Sequence, residues 1–188
     1  MNNLIESALC KKISMYGSLP IYEQNGVLTE IGRDLKDLYG TPEFNIQLQD
    51  LLYDHSPHLS VLIMLIDIKI DFPDRIKILK ENDNYYIRYE TWNEKRYVID
   101  VLDDILKELG YDVLKEWYQN PSDKAKLNKD IIEFASDMGF ISFSGGEMVV
   151  NDKYYESILL EPRSRRFNKD EPIRNKINEI LKSMEVHV

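Results

Sequence analysis

One cysteine, Cys10, is present in 188 residues, so no internal disulfide can form and no thiolate pair can hold a metal. No apolar run is long either. The longest, VLIMLI from Val61 to Ile66, falls far short of the roughly 20 residues that span a bilayer. The N-terminal MNNLIESALCKK lacks the basic region and apolar stretch of a signal peptide. No phosphate-binding loop, nucleophile elbow or redox motif occurs. His55 and His58 are three residues apart in DHSPH, but a proline lies between them and no third ligand follows. These absences predict a cytoplasmic chain with no cofactor, no metal and no membrane contact.

With 43% hydrophobic and 30% charged residues, the composition is that of a globular protein. The net charge of −9 is unevenly spread. From Glu161 onward there are seven Lys/Arg against five Asp/Glu. That segment is therefore +2 and the rest of the chain −11. An acidic body repels phosphate, which excludes a nonspecific nucleic-acid coat. It leaves room for a confined basic surface, for which RSRRFNK (Arg163, Arg165, Arg166, Lys169) is the candidate. The same residues also read as a solvated linker between two helices.

Apolar spacing predicts a helix over residues 3–14, and GSLPIYEQNGVLT reads as a hairpin turning at Asn25-Gly26. Thr29 is placed to cap a helix that buries Ile31, Leu35, Leu38 and Tyr39 and stops at Gly40. Thr41, Pro42 and Glu43 open another helix. HLSVLIMLIDIKIDFP fits a buried helix or a strand, and its unbroken length favours the helix. Asn82-Asp83 marks a turn between residues of strand propensity, although Ile76 to Lys80 can also be read as helical. RYVIDVLDDILKELG is a helix with Val98, Val101, Leu102, Ile105 and Leu109 on one face, and YDVLKEWYQN a short one cut by Asn120-Pro121. The chain thus reads as a mostly helical α+β protein. We expect an N-terminal region at 1–75, a second domain at 76–160, and a basic linker with a C-terminal helix at 161–188.

An internal comparison adds to this. LIESALCKKISMYGSLPIYEQNGVLTEIGRDL can be laid over KDIIEFASDMGFISFSGGEMVVNDKYYESIL. Each gives a helix, a break, a strand, a glycine turn, a second strand, a polar cap and another helix. Gly26 matches Gly145-Gly146, and Thr29 matches Asn151. The shared pattern resembles the second half of a winged helix, and LNKDIIEFASDMGFISFSGGEMVVN carries the fuller resemblance, with NPSDKAK as the turn before the recognition helix. Winged-helix modules of bacterial restriction or defence systems look similar, as do the tandem winged-helix proteins that dock on SMC–kleisin complexes. The resemblance implies winged-helix-like units with short hairpin wings. It also implies a non-catalytic DNA-binding or assembly subunit of a prokaryotic or phage system handling DNA.

Base and phosphate contact would fall to Lys124, Lys126, Asn128 and Lys129 on the recognition helix, joined by the 163–169 cluster. Glu133 and Asp137 on the same helix oppose that, and the wing SFSGGE has no cation. An acidic winged helix suits a protein partner or a homodimer. NYYIRYETW, with Tyr85, Tyr86, Tyr89 and Trp92, supplies aromatic side chains either for such an interface or for the core. A third alternative is a Mg²⁺-dependent PD-(D/E)xK nuclease, in which Asp54, Asp67 and Lys69 take the order of acids and lysine. That arrangement requires residues 59–70 to form a strand.

Overall fold

The computed structural model describes residues 26–67, 76–90, 92–151 and 161–184, with the backbone alone for 161–170 and 184. The expected helix over 3–14, most of the first hairpin and Lys69 lie outside these residues, and with them most of the N-terminal member of the internal repeat. The chain divides into two compact units, Met1–Ser60 and Val61–Val188. The division falls within a helix, earlier in the chain than the expected boundary at residue 75.

The first unit holds α1 (Glu30–Asp37), α2 (Pro42–His55) and the opening turn of α3 (Pro57–Asp67). Thr29 caps α1 as expected, its hydroxyl accepting the Gly32 N–H at 3.1 Å. Of the four side chains expected inside, Leu35 is buried, while Ile31 and Tyr39 stay 38% and 45% exposed. Two helical turns present only a narrow stripe to α2, and Gly32 with Leu35 fills it. Thr41 stands at the N-cap of α2 but donates its hydroxyl backwards to the Leu38 carbonyl, 2.7 Å away. Ser56 caps α3, accepting the Leu59 N–H at 3.3 Å. The run from Val61 to Asp67 is buried throughout and helical, so length decided correctly between helix and strand.

The second unit is built on an antiparallel five-stranded sheet in the order β3-β2-β1-β5-β4. Its strands are β1 (Ile76–Glu81), β2 (Asn84–Tyr89), β3 (Arg96–Tyr97), β4 (Ile141–Ser144) and β5 (Glu147–Val150). Asn82 and Asp83 make the β1–β2 turn with φ of 49° and 58°, and Gly145 and Gly146 make the β4–β5 turn with φ of 59° and 81°. Two successive positive φ values give the turn whose twist matches paired strands. In β1, Ile76 and Ile78 are buried and Lys77 is exposed, the alternation of a strand rather than a helix.

Among the described residues the rest of α3 and three further helices complete this unit: α4 (Val98–Glu108), α5 (Pro121–Asp137) and α6 (Glu161–Met184), with a 3-10 turn at Leu114–Trp117. Both α4 and α5 pack on β2. The sheet face carrying Ile76, Ile78, Tyr85, Ile87, Tyr89, Met148 and Val150 is buried. Fully burying each such side chain stabilises the fold by about 1.5–3 kcal/mol. Tyr85, Tyr89 and Trp92 therefore close the core. The structure confirms the apolar face of α4, except that Ile99 and Leu106 join it and Arg96-Tyr97 forms a strand ahead of it.

Four expectations are corrected here. NPSDKAK is not a turn: Asn120 caps α5, accepting the Asp123 N–H at 2.9 Å, with Pro121 in its first turn. The β4–β5 hairpin is no free-standing wing, because β5 also pairs with β1 at Leu79↔Glu147. Alternation along β4 puts Phe143 on the inner face with Ile141 and so predicts its burial, but Ile141 is buried while Phe143 is 41% exposed. It sits two residues nearer the hairpin tip, where its ring meets Tyr85 at 5.7 Å. The stretch expected as a basic linker is the first part of α6, and Pro172 lies inside that helix. Residues 152–160, which follow the Asn151 position, lie outside the described residues.

Candidate interaction surfaces

The groups expected to face DNA occupy the first half of α5, and the fold has engaged most of them. Asn128 is 1% exposed. Its Oδ1 accepts the Ile99 N–H at 2.8 Å, and its Nδ2 donates to Asn84 Oδ1 at 2.6 Å and to the Tyr85 carbonyl at 2.9 Å. Ile99 lies in the first turn of α4, whose own N-cap, Tyr97, supplies no side-chain bond. Asn128 thus caps α4 from a distance, and its amide is committed to the interior rather than presented to a base.

Lys124 pairs with Asp100 at 2.6 Å, and Lys129 with Asp83 at 2.5 Å and Glu133 at 3.9 Å. The hydrogen bond to Asp83 raises the Lys129 pKa, and the same bond, with the lysine charge, lowers that of Asp83. Lys126 is exposed. Arg163, Arg165, Arg166 and Lys169 all fall on the helical backbone of α6.

A cleft of ≈ 530 Å³ opens between α4, the 3-10 turn and the start of α5. Three carboxylates of α4, Asp100, Asp103 and Asp104, face three cations, Arg96, Lys115 and Lys124, across it. Each carboxylate has a partner in the chain. Asp100 holds Lys124, Asp104 accepts from Arg96 at 2.7 Å, and Asp103 Oδ1 accepts the Leu114 N–H at 2.6 Å, capping the 3-10 turn. Burial pushes the Asp103 pKa up, against the pull of the Leu114 and Lys115 N–H groups and with a push from Asp100 and Asp104. Burial and then Asp100 and Asp103 raise Tyr118, on the same wall. The connection forming that wall also exposes Tyr111 (39%) and Trp117 (38%).

A continuous stack separates this cleft from a smaller depression of ≈ 230 Å³ on the outer sheet face. Lys95 Nζ lies 4.5 Å from the centroid of Tyr86, the Tyr86 and Tyr97 rings stack at 5.0 Å, and Lys124 Nζ lies 5.3 Å from Tyr97. Ion pairs to Glu81 and Asp100 end the stack. Each ring thus has both a stacked ring and an ammonium group as neighbours, attractive contacts for both. The Tyr97 hydrogen bond, followed by burial, raises the Tyr86 pKa.

Of the alternative nuclease residues, Lys69 lies outside the described residues. Asp67 ends helix α3, is 4% exposed and pairs with Arg174 of α6. It is neither on a strand nor open to a metal. Asp54 is exposed in the first unit. No group of three or more His, Cys, Asp or Glu able to hold a metal occurs among the described residues, His55 and His58 included. No described helix is long and apolar enough to cross a membrane. No family model matches the chain, and neither a curated protein nor a solved structure matches it significantly.

Proposed function

We propose that the protein is a non-catalytic assembly subunit that holds a protein partner through the connection between α4 and α5. The observation that carries this reading is the exposure of Tyr111 and Trp117 in the segment that also walls the cleft. Exposed tryptophan and tyrosine beside arginine make the contacts that dominate protein interfaces, and Arg96 lines the same cleft. Asp100 and Asp104 are paired with Lys124 and Arg96, and Asp103 caps the 3-10 turn, which suits these carboxylates to holding shape rather than to proton transfer. A cytoplasmic location is part of the proposal. The placement in a prokaryotic or phage DNA-handling system rests on the winged-helix resemblance of residues 127–151.

The test is affinity capture by the full chain and by its W117S and Y111S variants. A stoichiometric protein partner should be retained by the parent chain and lost from the variants while their folding is unchanged. Equal retention by all three would refute the reading.

Direct DNA contact is the second reading, and the exposure of Lys126 favours it. It keeps Lys126 and the 163–169 segment of α6 as phosphate contacts. Lys124 and Lys129 would have to leave Asp100 and Asp83 to take part.

A further inference from the structure

Lys77 and Arg88 lie directly opposite each other in the β1–β2 register, on the outer face of the sheet, and both are exposed. Like charges placed directly opposite weaken an antiparallel pair. Neither has a carboxylate partner among the described residues. The nearby Glu81 is held by Lys95 instead. Two uncompensated cations side by side stand out in a chain with 33 acidic against 24 basic residues. Beside Arg88 is the ≈ 230 Å³ depression, with Leu79 and Tyr86 in its wall and Asn93 and Lys95 at its rim. Through the pairing Leu79↔Glu147, the same face continues onto β5, where Glu147, itself engaged within the chain, lies two residues from the half-buried Val149.

We infer that this face binds an acidic segment of a protein partner. Carboxylates of that segment meet Lys77 and Arg88, and its apolar side chains lie over Leu79 and Val149. The inference rests on the reading of the chain as a partner-holding subunit and adds a second, electrostatic contact to it. Charge complementarity sets the sign of the occupant, and the stack sets its class. Single-stranded nucleic acid on an open sheet needs ring faces on which bases stack. The Tyr86 and Tyr97 rings are engaged with each other, and each also has an ammonium group within reach, Lys95 at 4.5 Å and Lys124 at 5.3 Å, which leaves little ring surface for a base. A carboxylate-bearing peptide needs no ring face.

The experiment is fluorescence anisotropy at low salt with three labelled probes. They are a peptide of about a dozen residues alternating glutamate and valine, its twin with glutamine for glutamate, and an oligothymidine. The acidic peptide should bind saturably and weaken with salt, and the neutral twin should bind at least tenfold more weakly. K77E and R88E should each lose at least tenfold in affinity. Their thermal midpoints should equal or exceed the parent value, because each reversal turns a repulsive cross-strand pair into an attractive one. That combination separates lost binding from lost folding.

Absence of saturable binding to the acidic peptide, unchanged affinity in both variants, or displacement of the peptide by oligothymidine would overturn the inference. Peptide failure with Trp117-dependent capture intact removes this inference alone. Loss of that capture with peptide binding intact removes the connection reading alone.

Discussion

Asn128 donates a 2.6 Å hydrogen bond to Asn84, a residue 44 positions earlier at the start of β2. Asn84 in turn donates to the Ala125 carbonyl at 3.0 Å and accepts the Tyr85 N–H at 2.8 Å. The two amides lock the tip of the β1–β2 hairpin to α5, and Asn128 extends the lock to the first turn of α4. A side chain type that reads adenine when it projects into a groove is here an interior fastening.

Asn128→Ala should destabilise the fold strongly. It leaves the Ile99 N–H, the Asn84 Oδ1 and the Tyr85 carbonyl short of a partner, and each buried polar group stranded costs about 1–3 kcal/mol. Urea denaturation checks this. A loss below about 0.5 kcal/mol, the range of ordinary surface substitutions, would show that water replaces the amide.

Asp67 and Arg174 form the other buried polar contact of consequence, with side chains 4% and 16% exposed. Asp67→Ala removes one partner and leaves the guanidinium poorly solvated, which should cost about 3–5 kcal/mol. The double replacement Asp67→Leu with Arg174→Met should recover most of that loss, because a buried pair exchanged for apolar side chains is often near neutral. Thermal melts of the single and double variants give the comparison.

The β4–β5 turn gives a backbone test. A Cβ at Gly145 or Gly146 would meet nothing within 4 Å, so only the positive φ opposes a side chain there. Valine at either position should cost about 1–2 kcal/mol. If both variants keep the parent stability, the turn has changed type.

The Asp83–Lys129 pair predicts a pH window with two edges. The Asp83 pKa is lowered below 3.8, so its contribution is present above that value and is lost as pH falls through the folded pKa. The Lys129 pKa is raised above 10.5, so its contribution is present below that value and is lost as pH rises through the folded pKa. Both groups are solvent-facing, so the effect should be small and weakened by salt. Carboxyl titration by NMR should place Asp83 below an ordinary aspartate, and D83N should return Lys129 toward its usual range.

What the sequence made legible was local. Thr29 before Glu30, the apolar stripe from Val98 and the glycine pair at 145–146 each act within a few residues, and the structure bears them out as a cap, a helix face and a turn. Asn120-Pro121 was legible but misjudged: the pair opens α5 rather than preceding it by a turn. The misplaced features depend on distant partners. Asn128 reads as a surface residue of a charged helix until Asn84, Tyr85 and Ile99 close around it. Lys124 and Lys129 read as free cations until Asp100 and Asp83 arrive from other elements. The join between β1 and β5, at Leu79↔Glu147, has no local signal, so the wing looked isolated. The candidate surfaces were half visible: NYYIRYETW announced an aromatic cluster, but not that alternation would send Tyr85 and Tyr89 inward and leave Tyr86 to stack on Tyr97.

The most direct test of the account places a photoreactive amino acid at position 117 and, in a separate chain, at position 126. The two positions report the connection proposed to hold a partner and the exposed lysine of the DNA reading. Irradiation in cells should give a discrete protein adduct from position 117, with nothing of comparable yield from 126. A nucleic-acid adduct from 126, with no protein adduct from 117, would contradict the assignment of this chain as a protein-binding subunit.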